Sequence, residues 1–157
     1  PIVTAEELRN NFAGLETAVG GDFITGELRR ELLNLDVAPW LLFITRSVSV
    51  EKCYLDQAGW FDPRLARGAG EDWELGYRLH RLGLNFVSIN RVTGFHQEHP
   101  HSFWAPFKKG PFFSEILYEK FGYEDPELLL LSLWRSSDQL WNEIPLYKNA
   151  VRLLMPR

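Results

Sequence analysis

The residues best suited to chemistry lie in Gly68-Ala69-Gly70-Glu71-Asp72-Trp73-Glu74. Two adjacent carboxylates follow a run of small residues, and small residues let a backbone come close to a bulky ligand. Leu75, Leu79 and Leu82 follow at helical spacing, which places Glu71 and Asp72 in the first turn of a helix. The unpaired N–H groups and the dipole at a helix start favour negative charge there. An ionised carboxylate at a loop–helix junction can serve as a general base toward a hydroxyl. Neighbouring helix residues diverge by about 100°, so the two acids would do different work, one taking a proton and one holding the acceptor. On chemistry alone the commoner explanation is that acids at a helix start only stabilise it.

A second cluster is Phe95-His96-Gln97-Glu98-His99-Pro100-His101. Imidazole and carboxylate groups can ligate a divalent cation, although solvated loop histidines are the commoner case. The His-x-x-His spacing is not that of a zinc finger, and the single cysteine supplies no thiolate set. Cys53 also excludes an internal disulfide, in keeping with a reducing compartment. It falls in a helical pattern and is expected to be a half-buried thiol rather than a nucleophile.

These residues need elements to hold them. Thr4-Ala5-Glu6-Glu7 has the form of a capping box, and Leu8, Phe12 and Leu15 predict a helix over 5–19 ended by Gly20-Gly21. A short helix is predicted over 27–35. The apolar run Trp40–Thr45 predicts a buried strand. Ser49 can cap a helix over 50–58 that stops at Gly59. Phe61-Asp62-Pro63 is a turn, and Arg67-Gly68-Ala69-Gly70 a flexible loop. The helix opening at Glu71 stops at Gly83, and Phe86–Ile89 predicts a second strand. Residues 94–104 have no period and are a predicted loop. A helix from Pro111 ends near Gly122. Asp125-Pro126 pairs a cap with a first-turn proline, opening a Leu-rich helix over 127–141 in which Leu128–Leu131 are mostly core. The tail from Asn142 is expected to be extended. The order predicts a mixed α/β domain with few strands.

Bulk properties narrow the classes. A length of 157 residues suits one domain. A net charge of −4 argues against nucleic-acid binding, which needs a basic face. No run of apolar residues is long enough to span a bilayer. Six Trp, five Tyr and eleven Phe are many for this length; much of this is expected to be core, some rings could be ligand platforms, and composition alone does not separate the two.

The stretch from Pro39 to Pro100 resembles family 2 glycosyltransferases of the GT-A fold, and among them their galactosyltransferase-type C-terminal module. The resemblance rests on an ordered set: Ala58-Gly59-Trp60-Phe61-Asp62, then Gly68-Ala69-Gly70-Glu71-Asp72-Trp73-Glu74-Leu75-Gly76-Tyr77-Arg78-Leu79, then Phe95-His96-Gln97-Glu98-His99-Pro100. Together these are far more specific than any one motif. The resemblance implies the C-terminal, acceptor-side half of a GT-A nucleotide-diphospho-sugar transferase fold. It assigns 39–104 to the acceptor and catalytic-base module and 111–157 to a C-terminal helical segment.

The implied reaction is inverting transfer of a sugar from a nucleotide-diphosphate donor to an acceptor hydroxyl. Asp72 would be the base and Glu71 would orient the acceptor. Trp73 and Trp60 would stack on it, with Gly68 and Gly70 lining its approach. His96, with His99 in reserve, would ligate Mn²⁺ or Mg²⁺ at the diphosphate. The partners implied are a nucleotide sugar and a glycan acceptor. The location implied is cytoplasmic, with attachment at the inner face of the membrane and self-association as further options.

Departures qualify this picture. Arg46-Ser47 stands where related enzymes often carry Gly-Asn. Arg67-Gly68-Ala69-Gly70 stands where Gly-Trp-Gly-Gly is frequent, so the acceptor class is open. The sequence holds no Asp-x-Asp, and with Pro1 first the expectation is a fragment without its donor-binding half. The alternative is a non-catalytic carbohydrate-binding or scaffold domain derived from the same fold.

Overall fold

The computed structural model describes residues 26–45, 47–65, 70–89, 113–134, 140 and 142–155, together with Ala5 and Arg9, which are helical. Among the described residues, six longer helices run in order: α1 (Gly26–Leu33), α2 (Lys52–Ala58), α3 (Glu71–Arg81), α4 (Phe113–Phe121), α5 (Pro126–Leu131) and α6 (Ile144–Leu154). Short 3₁₀ turns at Pro39–Leu42 and Pro63–Leu65 join them. The remainder of the predicted first helix lies outside the described residues.

Helix α3 is the centre of the arrangement, packing on the Pro39 turn, α2 and α4. Its residues divide by the 3.6-residue period into three faces. Trp73 and Tyr77 enter the main core with Trp40, Leu41, Leu117 and Leu128. Leu75 and Leu79 join Phe43 in a second cluster, against which Leu55 and Phe86 pack. Glu74 and Arg78 occupy the third face and are taken up below. Helix α6 closes the main core against α1 and α5 through Ile144, Tyr147 and Val151.

Buried polar groups tie distant segments. Glu127, at the start of α5, accepts bonds from the Ala38 N–H at 2.7 Å and the Trp40 indole at 2.6 Å. These bonds hold Ala38 in the left-handed region (φ 45°) at the entry to the Pro39 turn. The Lys148 ammonium is buried and donates to the carbonyls of Glu31, at 2.8 Å, and Asn34 at the end of α1. Those carbonyls have no partner within their own helix, and a cation satisfies them.

Among the described residues there is no strand, which overturns the predicted α/β class and the GT-A half-fold implied by the resemblance. Trp40–Thr45 satisfies its backbone locally, through Leu41 N to Ala38 O and Phe43 N to Trp40 O, and forms a turn. Leu84 and Phe86 point inward while Asn85 and Val87 are exposed, a strand-like alternation. A strand, however, needs a ladder, and no described segment pairs with this one. The tail is likewise corrected: Ile144–Leu154 is a helix, not extended. The Leu-rich helix ends at Leu131, ten residues short of its predicted end by the difference from 141. Cys53 is exposed rather than half-buried.

Other expectations hold. Gly59, Gly83 and Gly122 lie at φ 86°, 82° and 71° just past helix ends, a conformation that suits glycine. Asp125 caps α5, its Oδ1 accepting the Glu127 N–H at 2.9 Å. Leu128 and Leu131 are buried.

Candidate functional site

The chain enters α3 through Gly70, whose φ of 104° is open to glycine and costly for other residues. Glycine offers no side chain to cap the helix, so the acids that follow meet its N-terminal dipole directly. Asp72 is half-buried, and its Oδ1 accepts the Thr45 hydroxyl at 2.6 Å. Glu71 is half-buried and has no hydrogen-bond or ion-pair partner among the described residues.

The helix start is braced by the segment running from the Pro39 turn to Thr45. Trp73 donates its indole N–H to the Leu41 carbonyl at 3.0 Å. One turn on from Asp72, Gly76 lets that segment come close: a Cβ there would lie 2.7 Å from Phe43 Cβ and 2.9 Å from the Trp40 carbonyl oxygen. Asp72, Trp73 and Gly76 are thus all met by residues 40–45.

The two tryptophans predicted as platforms part company. Trp73 is 5% exposed, its ring in the core. Trp60 is 44% exposed. It follows the Gly59 stop and itself has φ 58°, a conformation costing a non-glycine residue roughly 1–2 kcal/mol. Several contacts hold it there. Its N–H donates to Leu55 O at 3.1 Å, its indole donates to Asp56 at 3.0 Å, and its carbonyl accepts from Arg78 Nη2. The Lys52 ammonium stands 5.9 Å from the ring centroid, within cation–π range.

Arg78 is the middle of a charged network. It meets Glu74 through two bonds, Nε to Oε1 at 2.8 Å and Nη2 to Oε2 at 2.7 Å, and also donates to the Ala58 carbonyl. Glu74 is fully buried. Lys120 of α4 bridges it, at 2.6 Å, to Asp62, at 2.8 Å. Asp62 in turn accepts Arg64 at 2.8 Å, and Arg64 reaches Glu119 at 2.8 Å. Hydrogen bonds from Arg64, and then Lys120, hold the Asp62 carboxyl well below the usual carboxylate range, against the opposing effect of burial. The Gly-Trp-Phe-Asp turn and the Glu-Leu-Gly-Tyr-Arg-Leu helix, two separate motifs in the sequence, are locked together by this network.

Tyr77 completes the support. Burial, and then its bond to Asp125 Oδ2 at 2.8 Å, push its phenol well above the ordinary value, so it remains a donor to the α5 cap. Gly68, His96 and His99 lie outside the described residues. Among the described residues, no group of three or more His, Cys, Asp or Glu side chains could hold a metal ion. Thr45, Arg78 and Lys120 had no signal as site residues in the sequence. Arg78 could have been suspected from its i, i+4 spacing to Glu74.

Comparison with known proteins gives local similarity. An uncharacterised glycosyltransferase of Bacillus subtilis, YfnE, is 42% identical over 62 residues, covering 40% of this chain and 16% of that protein. Chondroitin synthase of Escherichia coli is 41% identical over 68 residues, 43% of this chain and 10% of that protein. Hyaluronan synthase of Pasteurella multocida is 38% identical over 72 residues, 46% of this chain and 7% of that protein. The chain therefore matches less than a fifth of the length of each of these relatives. No family model matches it, and no solved structure does.

Proposed function

We propose that this chain, part of which is of the family 2 glycosyltransferase type, carries the catalytic base and acceptor side of an inverting, nucleotide-sugar-dependent transfer. The observation that carries the reading is Asp72. It is a half-buried carboxylate in the first turn of α3, with Oδ1 held by Thr45 and Oδ2 without a partner among the described residues. As the acceptor oxygen attacks the anomeric carbon, its proton passes to Asp72 Oδ2. The bond from that carbon to the nucleoside diphosphate breaks on the opposite face, so the configuration inverts without a covalent intermediate. Glu71, beside it and without a partner among the described residues, orients the acceptor by accepting hydrogen bonds from its hydroxyls. Trp60 supplies an exposed ring face for stacking; Trp73, in the core, supplies none. Gly70, at the entry to α3, leaves room for the approach; Gly68, outside the described residues, belongs to the same proposal.

Mn²⁺ or Mg²⁺ at the donor diphosphate belongs to the same proposal, with His96 as ligand and His99 in reserve. No described cluster offers a ligand set for it, and no step above runs through it. The donor and acceptor are a nucleotide-diphosphate sugar and a glycan. No described helix is long and apolar enough to cross a membrane; peripheral attachment at the inner face of the membrane and self-association are parts of the proposal open to fractionation and sizing.

The test is a panel of UDP- and GDP-linked sugars offered to the full-length protein with oligosaccharide acceptors, with and without Mn²⁺. Donor-dependent transfer is expected, and Asp72→Asn should reduce it by about 10²–10⁴-fold, the range for loss of a general base, while leaving the fold intact. Normal transfer by that variant would sink the assignment. Saturable glycan binding with no consumption of any donor would establish the carbohydrate-binding alternative instead.

A further inference from the structure

We propose that Thr45 is a positioning residue for Asp72: by donating its only hydroxyl proton to Oδ1, it presents Oδ2 as the oxygen that receives the acceptor's proton. The inference rests on the reading of Asp72 as the base. Its geometry is independent of that reading. The Thr45–Asp72 bond is 2.6 Å long, and it stands beside other contacts that fix residues 40–45 on α3. Among these are the Trp73 indole on Leu41 O at 3.0 Å and the close approach of Trp40 and Phe43 to Gly76.

Gly70 cannot cap the helix with a side chain, and among the described residues the hydrogen bond to the Asp72 carboxylate comes from Thr45. The orientation comes from outside, through a segment whose position is fixed twice over. A carboxylate left to rotate would direct an oxygen at the acceptor only part of the time, and productive attack depends on tight alignment. In the step itself the acceptor O–H bond breaks and its proton passes to Oδ2. The bond from the acceptor oxygen to the anomeric carbon forms as the bond to the diphosphate breaks. The Thr45 proton stays on Thr45 throughout.

The experiment uses the full-length protein and the nucleotide sugar that the unaltered protein transfers in the panel above, with both substrates varied. Thr45→Val keeps the volume and removes the donor. Because Thr45 is exposed, the fold should persist, as circular dichroism will verify; Thr45→Ala is the second variant, with the same result expected. Losing a hydrogen bond to a charged group should lower kcat by roughly tenfold to a hundredfold. The KM values for donor and acceptor should change less than about threefold, as for loss of an interaction that orients the reacting group. Thr45→Ser, which keeps the hydroxyl, should restore kcat.

A second readout separates this role from a structural one. The unfolding temperature should be equal in Thr45→Val and Thr45→Ser while kcat differs between them, a split that a structural defect would not give. Unchanged kcat in Thr45→Val, or equal loss in Thr45→Ser, would overturn the proposal. Retained transfer by Asp72→Asn would remove its premise, a different result on a different variant.

Discussion

A methyl group at position 76 would meet Phe43 Cβ at 2.7 Å and the Trp40 carbonyl oxygen at 2.9 Å. The second of these is backbone and cannot rotate away. Alanine would gain up to about 1 kcal/mol of helix propensity, but forcing α3 off the 40–45 segment should cost about 1–3 kcal/mol as overpacking. We expect Gly76→Ala to lower the chemical-denaturation midpoint of the full-length protein, and also to lower transfer, because the same displacement moves Thr45 from Asp72. Higher stability would show that the segment yields without cost. At this scale the spacing placed both acids in the first turn of α3, where the structure has them, and was misleading about one ring. Trp73 and Tyr77 are i, i+4 on α3, the spacing of a buried face, but the equally regular Leu75, Leu79 and Leu82 drew attention to another face. Leu82 proves 44% exposed, and two buried faces meet on one helix. That Thr45 reaches Asp72 could not be read, because nothing local in the sequence relates positions so far apart.

Among elements, the turn of residues 59–62 and helix α3 are joined mainly through one guanidinium. Arg78 meets both oxygens of the fully buried Glu74 and the carbonyls of Ala58 and Trp60. Arg78→Met keeps the aliphatic stem and deletes the charge, leaving Glu74 with Lys120 alone. Removing one partner of a buried pair typically costs about 3–5 kcal/mol, and the surviving lysine should hold the loss to the lower part of that range. Adding Glu74→Gln to Arg78→Met should recover part of the loss, because it removes the charge left behind; denaturant titration of the single and double variants checks this. Further loss in the double variant would mean that Glu74 is stabilised chiefly by Lys120. Four helix ends were legible at this scale, since Gly59, Gly83, Gly122 and Asp125 each act through local backbone chemistry; the predicted Ser49 cap and the end of the Leu-rich helix were not, α2 starting after Glu51 and α5 stopping at Leu131. The strands were not. Apolar runs such as Trp40–Phe43 are buried equally well as a turn, and whether a ladder forms depends on partner segments that local pattern does not specify. Helix α6 was legible and was missed: Ile144, Tyr147, Lys148 and Val151 recur at helical spacing, with Pro145 in the first turn.

Across the whole molecule, charge pairs tie together elements that also share the apolar core, and their titration should set the acid limb of stability. Asp62 is the strongest case. Its side chain is 8% exposed and joins the Pro63–Leu65 turn to α4 through Arg64 and Lys120. Bonds from Arg64 hold its carboxyl well below the ordinary value of 3.8, while the unfolded chain protonates near that value. The unfolded state therefore binds more protons below 3.8, and stability falls as pH falls through that region. Asp36 contributes in the same direction through Arg152, at 2.8 Å, from a more exposed position. Glu127 works oppositely. Burial raises its carboxyl above 4.5, so the folded state takes up its proton first as pH falls, and that group becomes less costly in acid. Asp62→Asn should thus be less stable than the unaltered protein near neutral pH, yet lose less on further acidification below 3.8. Asp36→Asn should flatten the same limb by less. Urea titrations at a series of pH values measure both slopes, and an Asp62→Asn limb as steep as the original would show that acid stability is set elsewhere in the chain.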